Sequence, residues 1–228
     1  MSTKVGREKN AVVLLSGGVD STTLLHYVCK HLHVKTVYAL SFLYGQKHSR
    51  ELDMAKWQAK EAHVFEHRII RLPFFSNLIS GSSALTDRSI PVPNMKDLSE
   101  RQKRQPPTYV PNRNMILLSL SAAYAEARGV RDVFYGAQAQ DEYGYWDCTV
   151  DFVSKINDVL RLNRYKTVRV NAPFVGMSKA AVVRIGINLG VDYAHTWSCY
   201  RGGRSPCGRC PSCVERIKAF SDWKEIKK

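Results

Sequence analysis

The sequence predicts an α/β protein built on a doubly wound parallel sheet, and three observations lead to this fold class. Apolar, β-branched runs suited to buried strands alternate with segments whose apolar residues recur three and four positions apart, as in helices. Glycines stand just past two of the helical segments, where helices commonly end. The first strand-like run leads directly into a glycine-rich turn and a helix. This alternation favours parallel strands with helices on both faces of the sheet.

The first predicted unit spans residues 11–32. An apolar strand at residues 11–15 is followed by the turn Ser16-Gly17-Gly18-Val19-Asp20. The next helix carries apolar residues at helical spacing, namely Leu24, Leu25, Val28 and Leu32. The turn predicts a phosphate site, because two glycines allow close backbone approach and a helix N-terminus offers unpaired N–H groups and a positive dipole end. The alternative is an ordinary turn in which Asp20 only caps the helix.

The later elements continue the alternation. Further strands are predicted at residues 36–42, 67–72, 131–136 and 168–173. Helices are predicted at residues 49–63, 112–128 and 178–189, the last two ending before Gly129 and Gly190. Residues 73–107 break the pattern with proline, serine, glycine and basic residues, so we expect a long surface loop or lid there. The length fits one domain over residues 1–228.

The composition limits the class of protein. The chain has 34 basic and 20 acidic residues, a formal net charge of +14. Because the basic residues are dispersed and lack interleaved aromatics, we interpret most of them as solvated surface, while contact with nucleic acid stays open. The sequence contains neither a secretion leader nor an uninterrupted apolar run of about 18 residues. We therefore expect a cytoplasmic protein that does not enter a membrane.

Four polar segments follow the predicted strands, at residues 16–21, 44–48, 138–148 and 176–179. Ligands of parallel sheets bind outside the carboxyl ends of the strands, so these segments are the predicted site. Two of the helices carry a cation in the first turn, Arg113 and Lys179, where the helix dipole disfavours positive charge by about 0.3–1 kcal/mol. A bound anion would offset this penalty. Alternatively, both side chains extend into solvent.

The C-terminal segment, residues 197–220, contains four cysteines at metal-ligand spacing: Cys199, Cys207, Cys210 and Cys213. Four thiolates fill a tetrahedral site, so the spacing predicts one structural Zn²⁺ that pins this segment to the domain. A CxxC redox pair is the alternative. Cys29 lies on an apolar helix face and is predicted to pack in the core, whereas Cys148 could serve packing or the site.

The string SGGVDSTT at residues 16–23 resembles the loop of the PP-loop ATP pyrophosphatases, which hold the terminal pyrophosphate of ATP during attack on the α-phosphate. It is shorter than the GxxxxGK[ST] loop and lacks its lysine. The resemblance implies that ATP is bound, with Mg²⁺ bridging its phosphate oxygens. The implied ATP-binding residues are Leu14, Leu15, Ser16, Gly17, Gly18, Val19, Asp20, Ser21, Thr22, Thr23 and Leu24.

A longer series of blocks resembles the 7-cyano-7-deazaguanine synthase family of this superfamily. The blocks are LLSGGVDSTTLL, YGQKHSREL, YVPNRNMILLSLSAAYAEA, DEYGYWDC, SKAAVVRIGINLG and TWSCY with CGRCPSC, and they cover nearly the whole chain. Two departures fall at the predicted base pocket. The chain has PNRN where the family often has PARN or PGRN, and QAQDEYGYWDC where a string closer to NAVDYSGYPDC is typical.

This resemblance implies a ligase forming carbon–nitrogen bonds. It would convert 7-carboxy-7-deazaguanine and ammonia to 7-cyano-7-deazaguanine with ATP, through an adenylated carboxylate and an amide. The implied catalytic residues are Asp20, His48, Arg113 and Lys179. Candidates for contact with the deazaguanine are Tyr143, Tyr145 and Asp147, each of which could instead be a buried aromatic or a turn aspartate. A homodimer is also implied.

Two other functions remain open from the sequence. A tRNA-modifying PP-loop enzyme would adenylate a base within RNA and use the basic charge for the tRNA, although such enzymes usually carry an added RNA-binding domain. A non-catalytic zinc protein that binds nucleic acid would use the charge and the cysteines without ATP. The intact SGGVDS string argues against the second of these alternatives.

Overall fold

Five parallel strands form a single sheet in the computed structural model, which describes residues 9–47, 50–139 and 145–226. The strands are β1 (Asn10–Leu14), β2 (Thr36–Leu43), β3 (Glu66–Arg71), β4 (Asp132–Phe134) and β5 (Arg169–Asn171). Their order is β3-β2-β1-β4-β5, and each neighbouring pair is parallel. The predicted fold class is therefore confirmed.

The helices lie between the strands as the alternation predicts. They are α1 (Val19–His26, continued by a π-helical turn at Tyr27–His31), α2 (Arg50–Glu61), α3 (Phe75–Leu78), α4 (Glu100–Arg104), α5 (Arg113–Ala127), α6 (Val150–Leu160), α7 (Lys179–Asn188) and α8 (Pro211–Ile226). Short 3-10 turns occur at Met95–Asp97, Trp146–Cys148 and Tyr193–His195. None of the helices in the described ranges combines the length and apolarity needed to cross a membrane.

The direction in which successive strands are added to the sheet reverses at β1. From β1 the chain first builds outward through β2 and β3, then returns to the other side of β1 to add β4 and β5. Loops leaving β1 and β4 consequently diverge and leave a crevice between the carboxyl ends of these two strands. Crevices at such switch points are where doubly wound sheets bind ligands.

The core lies on both faces of the sheet, and β1 shows the alternation clearly. Val12 faces a cluster that includes Leu118 of α5 and Phe152 of α6. Ala11 and Val13 face the opposite cluster, which includes Leu24 and Leu25 of α1, Ala55 and Ala59 of α2 and Val182 of α7. Because successive side chains of a strand point to opposite faces, this apolar strand is covered on both sides.

The segment at residues 73–107, predicted as a surface loop or lid, contains helices α3 and α4 and a 3-10 turn. Ser99 caps α4 in a capping box with Gln102. The segment is also anchored inward, since Ala84 N–H donates to the Pro107 carbonyl at 2.7 Å and Lys47 N–H donates to the Leu85 carbonyl at 2.9 Å. Part of this loop therefore packs into the fold.

Helix α1 is tied to α2 by a buried histidine. His26 is 1 % exposed, and its Nε2 lies 3.1 Å from Gln58 Oε1. Gln58 Nε2 donates to the carbonyls of Asp192 and His195, both at 2.9 Å, which fixes Oε1 towards His26 and makes Nε2 of the imidazole the donor. Nδ1 has no hydrogen-bond partner within the described ranges. A neutral imidazole fits this environment.

We predict that the protein loses stability as the pH falls below about 6.5, the ordinary value for histidine. Burial lowers the pKa of His26, although Gln58 partly opposes this effect. The unfolded chain therefore binds more protons below that pH, and each such histidine contributes a slope of up to about 1.4 kcal/mol per pH unit. Urea unfolding of wild type and His26→Gln between pH 5 and 8 measures this slope of the unfolding free energy against pH. Burial also lowers the pKa of His67, which both proteins retain, so part of the pH dependence should remain in His26→Gln. An equal pH dependence of the unfolding free energy in the two proteins would contradict the role assigned to His26.

Candidate functional site

A cavity of about 630 Å³ lies at the carboxyl end of the sheet. It is bounded by the loop after β1, the ends of β2 and β4, the first turns of α5 and α7, and one face of α8. Representative lining residues are Ser16, Asp20, Tyr44, Arg113, Asn114, Tyr145, Lys179, Tyr200 and Glu215. The cavity therefore lies at the predicted switch point and combines apolar walls with cations and carboxylates.

The loop between β1 and α1 is preformed by its own hydroxyl groups. Ser21 Oγ accepts from Ser16 N–H at 3.1 Å and shares a hydrogen bond of 2.9 Å with Ser16 Oγ. Gly18 N–H donates to Ser16 Oγ at 3.2 Å. Gly17 adopts φ +88°, a conformation that favours glycine. These contacts hold a tight turn at the N-terminus of α1.

The start of α1 carries no side-chain cap. Its N-cap is Gly18, in extended conformation, and within the described ranges no side-chain cap accepts from the first turn. Asp20 instead directs its Oδ2 to Lys179, so the alternative in which Asp20 only caps the helix does not describe this structure. The uncapped N–H groups at this helix end suit an anion.

Lys179 is buried within an ion-pair cluster. The residue is 6 % exposed, and its Nζ lies 3.1 Å from Asp20 Oδ2 and 3.5 Å from Glu215 Oε2. The alternative that Lys179 extends into solvent is thus excluded. Burial raises the pKa of Glu215, as does Asp20, whereas Lys179 lowers it. Asp20 Oδ1 is buried without a hydrogen-bond partner among the described residues.

Arg113 lies on another wall of the cavity, at the first residue of α5. Its Nη1 donates to Tyr44 Oη at 3.4 Å, and its Nε donates to Asn114 Oδ1 at 3.3 Å. Asn112, the residue before it, is the helix N-cap in left-handed conformation, with φ 51°. Arg113 is half-buried and lines the cavity, which argues against extension into bulk solvent.

In the block GYWDC, Tyr145 lines the cavity, whereas Asp147 lies behind the cavity wall. Tyr145 lines the cavity and shares a hydrogen bond of 2.8 Å with Thr108 Oγ1. Asp147 is 2 % exposed, and its Oδ2 accepts from Asn114 N–H at 3.3 Å. Burial raises the pKa of Asp147, although Arg113 opposes this shift. The carboxylate thus contacts the backbone at the start of α5, and the cavity lining does not include it.

The structure brings most of the predicted site residues together. Seven of the loop residues line the cavity, namely Leu14, Leu15, Ser16, Gly18, Val19, Asp20 and Ser21. Four others lie behind them: Gly17, Thr22, Thr23 and Leu24. Thr23 Oγ1 shares a 2.6 Å hydrogen bond with Tyr193, and Leu24 packs in the core, so these two side chains support the loop from below. His48 and Tyr143 lie outside the described residues.

Several cavity residues were not singled out from the sequence. They are Thr108 and a group from the C-terminal segment, including Trp197, Ser198, Tyr200, Ser212, Glu215 and Lys218, whereas Tyr44 belongs to the predicted segment 44–48. The residues at positions 211, 214, 215 and 218 share no residue type, so no pattern in the block CPSCVERIK predicted their common face. They line the cavity as one face of α8.

The four cysteines form a cluster able to hold a metal ion. Their Sγ atoms all lie within 4.8 Å of one another, and Cys199, Cys210 and Cys213 are at most 3 % exposed. Backbone N–H groups support the sulfurs, since Cys207 N–H donates to Cys199 Sγ at 3.4 Å and Cys210 N–H donates to Cys207 Sγ at 3.3 Å. N–H donors of this kind favour thiolates. The predicted ligand set is therefore assembled in space.

The cysteine cluster is linked to the phosphate loop. Trp197 N–H donates to the Gly17 carbonyl at 2.9 Å, and its indole N–H donates to the Cys199 carbonyl at 3.0 Å. On the other side of the cluster, helix α8 starts at Pro211 and places Glu215 Oε2 3.5 Å from Lys179 Nζ. Both ends of the cysteine segment thus reach the cavity.

We predict that Gly17→Ala disrupts the loop. A Cβ at residue 17 would lie 2.1 Å from the Glu51 carbonyl oxygen and 2.7 Å from Ala55 N, which are backbone atoms of α2. Together with the positive φ, this clash is expected to cost about 2–4 kcal/mol of unfolding free energy and to weaken nucleotide binding.

Urea unfolding of Gly17→Ala and a matched Gly176→Ala variant tests this expectation. A Cβ at residue 176 would meet no atom within 4 Å, and the backbone there has no left-handed φ, so alanine is tolerated. Equal unfolding free energies for the two variants would contradict the role assigned to Gly17.

The fold and the preformed loop define the class first, a doubly wound α/β protein with a tight glycine-containing loop at its switch point. The NMN synthetase structure from Francisella tularensis agrees with this fold, with a TM-score of 0.50 and 15% identity over 96% of this chain and 84% of that one. Likeness at this identity concerns the fold alone.

Sequence comparison then gives the family. Residues 10–224 match the family model described as queuosine biosynthesis protein QueC. The 7-cyano-7-deazaguanine synthase of Caldicellulosiruptor bescii is 45% identical over 92% of this chain and 91% of its own length. The synthase of Caldicellulosiruptor saccharolyticus is 47% identical over 92% of this chain and 90% of its own length. The chain belongs to the QueC family, as its sequence blocks predicted.

Proposed function

We propose that this protein is an ATP-dependent ligase that converts 7-carboxy-7-deazaguanine and ammonia to 7-cyano-7-deazaguanine. The observation that carries the proposal is the cavity at the switch point, where a preformed phosphate loop and the buried Lys179 share one space with Arg113 and several tyrosines. Such a cavity can hold a nucleotide and a small planar acid together. The names of the relatives in the same family support this substrate.

The chemistry requires two activations, because a carboxylate and an amide are both poor electrophiles. In the first, a carboxylate oxygen attacks the α-phosphorus of ATP, and pyrophosphate leaves. Ammonia then displaces AMP and gives the primary amide. In the second, the amide oxygen attacks a phosphorus of another ATP, and it then leaves with that phosphoryl group while the nitrogen gives up both of its protons, which leaves the nitrile. The protein contributes mainly by positioning the reactants and by stabilising negative charge.

The residues of the loop and of α7 suit the phosphates. The N–H groups at the start of α1, with the Ser16 and Ser21 hydroxyls, would contact the pyrophosphate. Lys179 would neutralise charge as pyrophosphate leaves. The role of His48 as a further donor remains a prediction, and Tyr143 remains a candidate for contact with the deazaguanine. Tyr145 would pack against the ring, while Asp147 would position Asn114 through its backbone contact.

Two metals belong to the proposal. Asp20 would hold Mg²⁺ through its buried Oδ1, which has no hydrogen-bond partner among the described residues, and the metal would supply neutralisation of phosphate charge. A structural Zn²⁺ suits the four clustered cysteine sulfurs, a donor set that fills a tetrahedral site. Cytoplasmic location and a homodimer are parts of the same proposal.

The experiment that tests the function starts from the purified, zinc-loaded protein. It is incubated with Mg-ATP, ammonium and 7-carboxy-7-deazaguanine, and mass spectrometry follows amide, nitrile and released nucleotide. We expect amide to form first and nitrile later, without RNA. ATP consumption only after addition of tRNA would contradict the proposal and favour the RNA-modifying alternative.

A further inference from the structure

Arg113 is a half-buried cation that forms no ion pair with the described residues. The buried Asp147 is near enough for Arg113 to lower its pKa, but the Oδ2 of that carboxylate accepts from Asn114 N–H. Among the residues that the structure describes, no carboxylate oxygen lies within 4.0 Å of its guanidinium. Its hydrogen bonds go to neutral groups, the Tyr44 hydroxyl and the Asn114 side-chain amide. The first residue of a 15-residue helix is also unfavourable for a cation, because the dipole is positive there. This arrangement suits a bound anion.

The surroundings of Arg113 differ from those of Lys179. Lys179 contacts Asp20 of the phosphate loop, whereas Arg113 is hydrogen-bonded to Tyr44 and lies within electrostatic reach of Tyr145 and Tyr200. These three tyrosines come from separate parts of the chain and all line the cavity. Aromatic side chains around a guanidinium suit a planar ring that carries a carboxylate, since the ring can pack on the tyrosines while the acid reaches the arginine.

We propose that Arg113 binds the carboxylate of the acid substrate, so that it serves the first activation and is nearly dispensable for the second. This inference rests on the proposed function. Arginine can donate two parallel hydrogen bonds to a carboxylate. It would hold both oxygens of the bound acid and offset the repulsion between the acid and the α-phosphate, and one of these oxygens would attack phosphorus through its second lone pair. The amide that enters the second activation is neutral and cannot form this ion pair.

The test compares two substrates of the same enzyme. Wild type, Arg113→Gln and Arg113→Lys are assayed with the acid, ammonium and Mg-ATP, and separately with the pure amide and Mg-ATP. Arg184→Gln is the matched control, because Arg184 is an exposed side chain on α7. The measured quantities are kcat/KM for each deazaguanine and KM for ATP, together with equilibrium binding of acid and of amide without nucleotide.

We expect the loss of Arg113 to affect use of the acid far more than use of the amide. Arg113→Gln should lose about 100-fold or more in kcat/KM for the acid, as expected when one member of a desolvated charged pair is removed. The same variant should convert the amide to nitrile within about fivefold of wild type, which also shows that it is folded. The kcat/KM of Arg113→Lys for the acid should lie between the values of wild type and Arg113→Gln, because lysine keeps the charge but loses the bidentate geometry.

Three results would overturn this inference. Equal losses on acid and amide, with a raised KM for ATP, would assign Arg113 to the nucleotide. Unchanged use of the acid by Arg113→Gln would remove the proposed contact altogether. If wild type converts neither compound, the proposed function fails and the inference fails with it, a result that differs from the first two because it appears before any substitution.

Discussion

Replacing Lys179 by methionine is expected to lower kcat/KM for ATP about 1000-fold, the scale found when a charge-stabilising donor is removed from an active site. Methionine retains the length of the side chain but not its charge. Asp20 and Glu215 would then lie in the cavity without the ammonium group that now contacts both. Breaking a buried ion pair leaves an uncompensated charge, and here that charge would also repel the phosphates.

The measurement is the initial rate of nucleotide release together with calorimetric titration of Mg-ATP. Lys60→Met on α2 is the control, since Lys60 is exposed. A double variant, Lys179→Met with Glu215→Gln, should bind ATP better than Lys179→Met alone, because one repelling carboxylate is gone. If Lys179→Met binds and turns over ATP as wild type does, the cluster has no part in nucleotide chemistry.

Local features of the chain could be predicted from sequence because their physics is local. The strand, two glycines and helix around residues 10–26 are contiguous, so spacing alone predicted this strand, tight turn and helix. The cysteines at residues 207, 210 and 213 are likewise close along the chain. By contrast, the contact of Lys179 with Glu215 depends on how α7 packs against α8, and no pattern near either residue encodes it.

Two further differences have physical causes. Strands β4 and β5 each span three residues where six were predicted, because pairing ends at Phe134 and Asn171 and the chain beyond β4 turns into the cavity wall. Helix α6 was not predicted, and no element was assigned from the sequence to residues 149–167. Its start was nevertheless encoded: Thr149 caps it by accepting from Phe152 N–H at 3.2 Å.

The position of Asp147 also required the structure. In sequence, the carboxylate after Tyr145 and Trp146 was predicted to face the substrate. In space it is buried against the first turn of α5, where it accepts from Asn114 N–H. Two distant segments must fold together before that contact exists.

Removing the metal from the cysteine cluster is the second large expected effect. We expect Cys210→Ser to lose about one equivalent of zinc per chain and about 10 °C in Tm, because loss of a structural ligand costs several kcal/mol and 1 kcal/mol corresponds to about 2–4 °C at this size. Cys210 is fully buried, in an apolar cluster with Ala84, Val92 and Trp197. Without a metal, that cluster would enclose four thiols.

The effect should extend to the nucleotide because of Trp197. Its backbone N–H contacts the Gly17 carbonyl, and its indole contacts the Cys199 carbonyl, so disorder of the cysteine segment would release the phosphate loop. Elemental analysis, thermal unfolding and ATP titration are compared for wild type, Cys210→Ser and Cys29→Ala. Cys29 lies outside the cluster, on α1's continuation, so Cys29→Ala should keep its zinc. If Cys210→Ser lost zinc yet bound ATP normally, the cysteine segment and the phosphate loop would be energetically independent despite their contact.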